Sequence, residues 1–236
     1  MTEFPTLFCG DMVRAIQEDR KTKTRRLLTW RNSLVDGCRN KKLFLSLDWS
    51  SLDIFVDGGP SPAGNPGPYL HVPHKTDGTT HRVYPQWQKD DRLWVKETFF
   101  RLLQFSRKEK KFLPVVSNIK TVRYAADNPF FSYNPGEFGY KKTSSIFMPR
   151  WASRINLTVK SIRVERVQEI TDEDAKAEGM KNMPYMLPSD KEPPKFGEPI
   201  CLWRYRELWD IINGKKEGCA WNDNPWVWVI EFNKEK

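Results

Sequence analysis

Residues 18–28 read EDRKTKTRRLL, and within them Lys21 and Thr24 have the residue types for acyl-transfer chemistry. Hydrolysis of an amide needs a nucleophile, a base that takes its proton, and an acid that protonates the departing amine. The hydroxyl of Thr24 is a weak nucleophile until a neighbouring base relieves it of that proton. Lys21 is a candidate base once burial or nearby cations lower its proton affinity, and Arg20, Arg25 and Arg26 crowd it along the chain. The acid can come from a carboxylate in a partly apolar site, such as a glutamate behind the AEGM helix end, where Glu178 stands. On pattern alone the same residues have ordinary readings. A Lys/Arg run behind a helix is a solvated end favoured by the macrodipole, and a glutamate in the last turn of a short helix is a surface acid.

Positions three apart share a face on a helical turn but point to opposite faces on a strand. Pairing Lys21 with Thr24 therefore requires Lys21 at a helix-to-strand corner, and the flanking sequence predicts a helix followed by a strand. GDMVRAIQEDR reads as a short helix with Asp11 as N-cap and Met12, Val13 and Ile16 on one face, ending near Arg20. The alternating threonines and cations of KTKTRRLLTW read as the start of a strand.

Further along, KDDRLWVKETFF predicts a turn at Asp90–Asp91 and then a strand. There Leu93, Val95 and Glu97 alternate with Trp94, Lys96 and Thr98, so that Glu97 interrupts an apolar face. The stretch MPRWASRINLTVKSIRVERVQEI predicts one or two strands over 154–159 and 162–167. TDEDAKAEGM predicts a short helix with Thr171 as N-cap, Asp174 at N3 and Gly179 as its stop. CLWRYRELWDIING predicts an amphipathic helix with Leu202, Tyr205, Leu208, Trp209 and Ile212 on the buried face. NPWVWVIEF is a closing strand, and Trp94, Trp226 and Trp228 are core residues by default. Between these elements lie three insertions, at about 32–86, 101–143 and 181–199. The first reads as a long loop with its own small hairpin, the second as irregular, the third as a Pro-rich loop. The expectation is one α+β domain over 1–236, with helices at the connections and long loops that shape a site.

The chain has 39 Lys and Arg against 30 Asp and Glu, a net charge of +9, which favours an anionic partner: RNA, DNA or a nucleotide. Ten tryptophans supply buried area and also flat faces for stacking bases. No apolar run approaches the ~20 residues of a spanning helix, and MTEFPTLFCG has an acid where a signal peptide carries Lys or Arg. A cytoplasmic protein with no membrane contact is expected. Cys9, Cys38, Cys201 and Cys219 are scattered without a CxxC pair and read as reduced thiols. His71, His74 and His81 fall in one stretch, but HVPH alone is too few ligands for zinc. No metal is expected.

Five pieces, MVRAIQEDRKTKTRR, DDRLWVKETF, SIFMPRWASRINLTVKSIRVERVQEITDEDAKAEGM, YRELWDIING and NPWVWVIEF, resemble the ASCH superfamily of the PUA-like β-barrel group, specifically its phage and prophage-type members. They cover a little under half of the chain, in family order. The resemblance implies a small PUA-like barrel carrying the long insertions. A smaller ASCH relative, the bacterial N4-acetylcytidine amidohydrolases, has a helix end reading GRKTxTxR and a later helix reading T-x-x-x-A-x-x-E. Here DRKTKTRR places Lys21, Thr24 and Arg26 in register, and TDEDAKAEGM places Thr171, Ala175 and Glu178. The family's glycine before the Arg-Lys is Asp19.

By this resemblance Lys21, Thr24 and Glu178 are the catalytic set. Thr24 acts as nucleophile, Lys21 as its base and Glu178 as the acid; the variant is attack by water with Glu178 as base and Thr24 only as an orienting hydrogen bond. No metal or cofactor is needed. The implied substrate is a small modified nucleoside, N4-acylated cytidine. Phe8, Trp94 and Trp151 are candidates to stack on the base, with Arg26, Glu97 and Arg154 for its polar contacts. Lys23 and Arg25 are expected on the solvated side. The rival function is an RNA-binding PUA-like module contacting phosphates through the basic strip, and a nuclease is a third.

Overall fold

A computed structural model describes residues 1–51, 53–59, 68–106, 108, 111–114, 122–127, 140–181 and 197–235. The chain is mixed α+β. Its first elements are β1 (Glu3–Leu7), α1 (Gly10–Gln17), β2 (Lys23–Leu27), β3 (Ser33–Val35), α2 (Lys41–Ser46), β4 (Phe55–Asp57), β5 (Tyr69–Pro73) and β6 (Thr80–Pro85). Then follow β7 (Arg92–Lys96), β8 (Phe99–Ser106), β9 (Lys111–Pro114), β10 (Val122–Tyr124), β11 (Tyr140–Thr143) and β12 (Asn156–Arg166). The chain ends with α3 (Asp172–Ala177), α4 (Ile200–Asn213) and β13 (Trp226–Lys234). The described residues form two compact units, one of 1–22, 91–158 and 233–236, the other of 23–90 and 159–232. A five-stranded sheet has the order β1-β7-β12-β13-β2, and no closed barrel is formed among the described residues.

In the first unit β1 lies parallel to β7, with Phe4 opposite Leu93 and Thr6 opposite Val95, and β12 pairs antiparallel with β7 through Asn156–Trp94. The predicted alternation of β7 holds: Leu93, Val95 and Glu97 are buried while Trp94 and Lys96 are half-buried. Arg92 bonds both Glu3 at 3.0 Å and Glu235 at 2.9 Å. The guanidinium groups of Arg150 and Arg92 hold the exposed Glu3 carboxyl down to about 2.

The second insertion is not irregular. Its described residues build a sheet of order β10-β8-β11, with β9 also on β8, around a small core of Phe99, Val122, Met148 and Ala152. The pairing of β10 and β11 with β8, across the long stretches that separate them in sequence, leaves no local signature.

In the second unit β13 pairs antiparallel with β2, Ile230 opposite Thr24 and Val229 opposite Arg25. Val227 and Val229 of β13 join Val167, Ile170, Ala175, Cys201, Tyr205 and Trp209 in one core, which packs α3 and α4. The first insertion is also more regular than a loop with one hairpin. Its β5–β6 hairpin, Leu70 opposite Val83, is extended by β3 and β4 into a sheet of order β3-β6-β5-β4. Residues 182–196 of the third insertion lie outside the described residues.

Two helices differ in detail. The N-cap of α1 is Cys9, not Asp11, and Asp11 in the first turn instead pairs with Arg14. The buried face of α4 is Cys201, Trp203, Tyr205, Trp209 and Asn213, while Ile212 is 52% exposed. Tyr205 and Trp209 at i, i+4 point the helix as predicted, but Trp203 outweighs Leu208 and Ile212 and turns the apolar stripe towards itself.

Candidate active site

The helix-to-strand corner that a Lys21–Thr24 pair requires is present in the backbone. α1 closes in a Schellman motif: the Arg20 N–H donates to Ala15 O at 2.9 Å and the Asp19 N–H to Ile16 O at 3.1 Å. Asp19 takes the left-handed conformation, φ 56°, that a glycine adopts without strain. The Lys21 N–H then shares the Ala15 carbonyl at 3.0 Å, and β2 begins two residues later at Lys23. Lys234 secures the helix end, its ammonium donating to Gln17 O at 3.0 Å and lying 2.6 Å from the Asp19 carboxylate, a cation where the macrodipole is negative. Replacing Asp19 by alanine is expected to cost about 1 kcal/mol, and replacement by glycine less than about 0.5 kcal/mol, because alanine carries the left-handed penalty without the partner. Urea unfolding of the two variants measures the difference.

Lys21 itself is 2% exposed and its ammonium lies 5.7 Å from the centroid of the buried Phe8 ring, a cation–π contact. Thr24 is 3% exposed and Glu178 is 2% exposed. Lys21 and Phe8 belong to the first unit, and Thr24, Arg26 and Glu178 to the second; the chain passes from one to the other between Thr22 and Lys23.

Glu178 is delivered by the end of α3. The Thr171 hydroxyl accepts from the Asp174 N–H at 3.1 Å, capping the start as predicted. A second Schellman closure stops the helix, with the Met180 N–H on Ala175 O at 3.1 Å, the Gly179 N–H on Lys176 O at 2.8 Å, and Gly179 at φ 96°. The side chain of Glu178 reaches β2, where its Oε1 accepts from the Arg25 backbone N–H at 2.6 Å. β2 ends the strand order, so this carboxylate satisfies an edge donor at the residue directly after Thr24.

Arg25 overturns the expectation of a solvated side chain. Its guanidinium is 0% exposed and meets Glu165 at 2.6 Å, Asp174 at 2.7 Å and Glu178 at 3.4 Å, with the Tyr205 ring centroid 5.9 Å away. Burial acts against this charge, but Glu178, Tyr205, Glu165 and Asp174 outweigh it and hold the Arg25 pKa above its ordinary value. Lys23, also expected in solvent, is half-buried and pairs with Asp174 at 2.7 Å, which Arg163 contacts at 2.7 Å as well. Spacing along the strand could not reveal this, because the partners lie 140 and 149 residues away. Arg26 is half-buried; burial presses its pKa down, against the pull of Glu178 and Tyr205. The Tyr205 hydroxyl is pushed well up by burial and by Glu178.

Asp174 carries a pH dependence. Burial raises its pKa, but the bond from Lys23 and the charges of Arg25 and Arg163 outweigh this and hold it below the ordinary value. A carboxyl depressed in the native state takes up protons more readily when unfolded, so its contribution is complete above the unfolded value and is lost as pH falls through the folded one. Glu3, at about 2, adds the same sign. The urea midpoint is expected to fall steadily from about pH 5 to about pH 2, and Lys23→Ala to make the fall shallower.

In the first unit Arg154 and Glu97 find each other. Arg154 Nε donates to Glu97 Oε1 at 2.9 Å and Nη2 to Oε2 at 3.1 Å, a bidentate pair. Asp127 joins at 2.7 Å, and the guanidinium lies 3.8 Å from the Tyr124 ring centroid. Burial raises the Glu97 pKa in spite of Arg154. The Glu97 N–H donates to Met148 Sδ at 3.3 Å. Of the aromatic candidates Phe8 is buried, Trp94 is half-buried between Lys96 at 5.4 Å and Arg150 at 5.7 Å, and Trp151 is 42% exposed.

Among the described residues no group of His, Cys, Asp or Glu is arranged to hold a metal ion. The three histidines each have their own carboxylate: His71 with Asp57, His74 with Asp77, and His81 with Asp36. No helix of the described residues is long and apolar enough to cross a membrane. Comparison with protein families, with characterised proteins and with solved structures finds no match to this chain.

Proposed function

We propose that this chain is an amidohydrolase of the PUA-like ASCH type that removes the acyl group from N4-acylated cytosine nucleosides in the cytoplasm. One observation carries the reading. Lys21 and Glu178, at helix ends that ordinarily leave such side chains in water, and Thr24, on β2, are 2%, 2% and 3% exposed. Burying an ammonium or a carboxylate requires compensating partners, as Arg25 supplies for Glu178, and these are the residues that the two motifs single out.

In the proposed reaction the Thr24 hydroxyl attacks the amide carbon and its proton passes to Lys21. The C–N4 bond breaks as Glu178 gives a proton to the leaving amine, which departs as cytidine. Water, losing a proton to Glu178, then attacks the Thr24 acyl ester and releases the acid, while the Lys21 proton returns to Thr24. The direct variant, water attack with Glu178 as base, gives the same products and leaves Thr24 as an orienting hydrogen bond.

Incubation with N4-acetylcytidine, followed for cytidine and acetate, tests the reading. Turnover is expected from the parent protein, with Lys21→Ala and Thr24→Ala each lowering kcat by about 10²–10⁴-fold. No turnover by the parent overturns the function. Turnover that survives Thr24→Ala leaves the hydrolase and removes the acyl-enzyme.

A further inference from the structure

The second unit contains a cavity of about 230 Å³ apart from the candidate catalytic residues. Buried Tyr84 and Trp87 line it with half-buried Leu34 and Ile162, and exposed Lys89 and Lys160 complete the wall. Thr24, Arg26 and Glu178 do not line it. The wall is set by the backbone. Leu34 of β3 stands opposite Tyr84 of β6, the Gln86 N–H donates to Asn32 O at 3.1 Å, and the Asp90 N–H donates to Val159 O at 2.9 Å. The Tyr69 ring packs against that of Tyr84 with centroids 5.0 Å apart. A recess held in this way is formed before a ligand arrives, so binding costs little reordering.

The polar groups of this wall are chiefly donors. Trp87 and Tyr84 are 6% and 5% exposed, and neither the indole N–H nor the phenol hydroxyl has a hydrogen-bond partner among the described residues. Polar groups on side chains this buried ordinarily have one. The indole N–H and the two ammonium groups can only donate, and no Asp or Glu lines the cavity. The two cations differ. Lys160 Nζ lies 2.6 Å from Glu231 Oε1, and the Ser161 hydroxyl donates to Oε2 at 3.2 Å, bonds that hold the Glu231 carboxyl below its ordinary range. Lys89 has no ion pair among the described residues. The cavity therefore presents one unmatched positive charge beside two unmet polar groups and two rings.

We infer that this cavity binds a small aromatic carboxylate, its ring against Tyr84, Trp87 and Ile162 and its carboxylate held by Lys89 and the Trp87 N–H. Flat rings suit a planar apolar body, and unmet donors suit an acceptor. A single unmatched charge suits a monoanion better than a phosphate, which approaches two negative charges at neutral pH. The volume is below the ~300–1,000 Å³ of sites that take drug-sized ligands, which limits the ligand to one or two rings. The inference does not rest on the hydrolase reading.

Fluorine NMR of the full chain with para-fluorobenzoate, and with neutral para-fluorobenzamide of the same shape, tests it. The acid is expected to bind with a Kd of about 1 mM. The amide should bind about ten-fold more weakly, because only the acid brings a charged acceptor. Lys89→Ala is expected to weaken the acid about five-fold, the worth of an exposed charge pair, and to leave the amide unchanged. Leu34→Trp fills the recess and is expected to abolish binding of both. Lys89 is exposed, and circular dichroism with urea unfolding checks that each variant folds. No broadening of the acid signal at about 10 mM, equal affinity for acid and amide, or an acid preference that survives Lys89→Ala each overturns the inference. Unchanged binding by folded Leu34→Trp places the ligand elsewhere and overturns it too.

Discussion

Replacing Arg25 by alanine is expected to destabilise the protein by about 3–5 kcal/mol, the cost of removing one partner from a buried ionic cluster. The side chain is fully enclosed, and its loss leaves Glu165, Asp174 and Glu178 without the guanidinium that meets all three. Lys23 and Arg163 still contact Asp174, and Arg163 still meets Glu165 at 2.8 Å, so what the variant loses is the one enclosed guanidinium that faces all three carboxylates. Combining Arg25→Ala with Glu165→Gln should recover part of the loss, because the second change removes one of three like charges that the guanidinium had held together. Urea unfolding followed by tryptophan fluorescence reports both. A loss below about 1 kcal/mol for the single variant, the range of an exposed pair, would show that the cluster contributes nothing beyond surface electrostatics.

The second large effect concerns activity. Glu178→Gln is expected to lower kcat for N4-acetylcytidine by about 10²–10⁴-fold, with a folded protein, since the amide oxygen can still accept from the Arg25 N–H now made to Oε1 at 2.6 Å. The fall should appear in kcat more than in KM, because the proton moves in the transition state. Glu178→Ala removes the acceptor as well and should add a stability loss of about 1–3 kcal/mol for the unmet edge donor. If Glu178→Gln turns over within ten-fold of the parent, Glu178 is a brace for the edge of β2 and the acid lies elsewhere.

The parts of this protein that sequence conveys are those decided within a few residues. The cap by Thr171, the stop at Gly179 and the turn at Asp90 are set by backbone preferences of single residues. The burial of Glu97 followed from a two-residue alternation in β7. The corner at Lys21 was legible for the same reason, although an aspartate stands in its left-handed position. The face of α4 was only half legible, since periodicity identifies a stripe but not its edges, and Trp203 against Ile212 is settled by what packs upon the helix.

Arg25 shows the limit most clearly. Along β2 it is one of several cations, and nothing local separates it from Lys23 or Arg26. Its burial is decided by Glu165, Asp174 and Glu178, which arrive from β12 and α3. Likewise Glu97 and Arg154, 57 residues apart, each stood out as polar residues available to a ligand, and the fold pairs them with one another. Beyond the one expected hairpin, the sheets inside the first two insertions escaped notice because β3, β4, β10 and β11 are short and join their partners across long intervals. By itself the sequence determined where α3 begins and ends, that β7 alternates, and which polar residues have the chemistry a site would need. Only the tertiary structure decided which charges are enclosed and which partner each meets, because burial and ion pairing depend on elements more than a hundred residues apart that no local periodicity can encode.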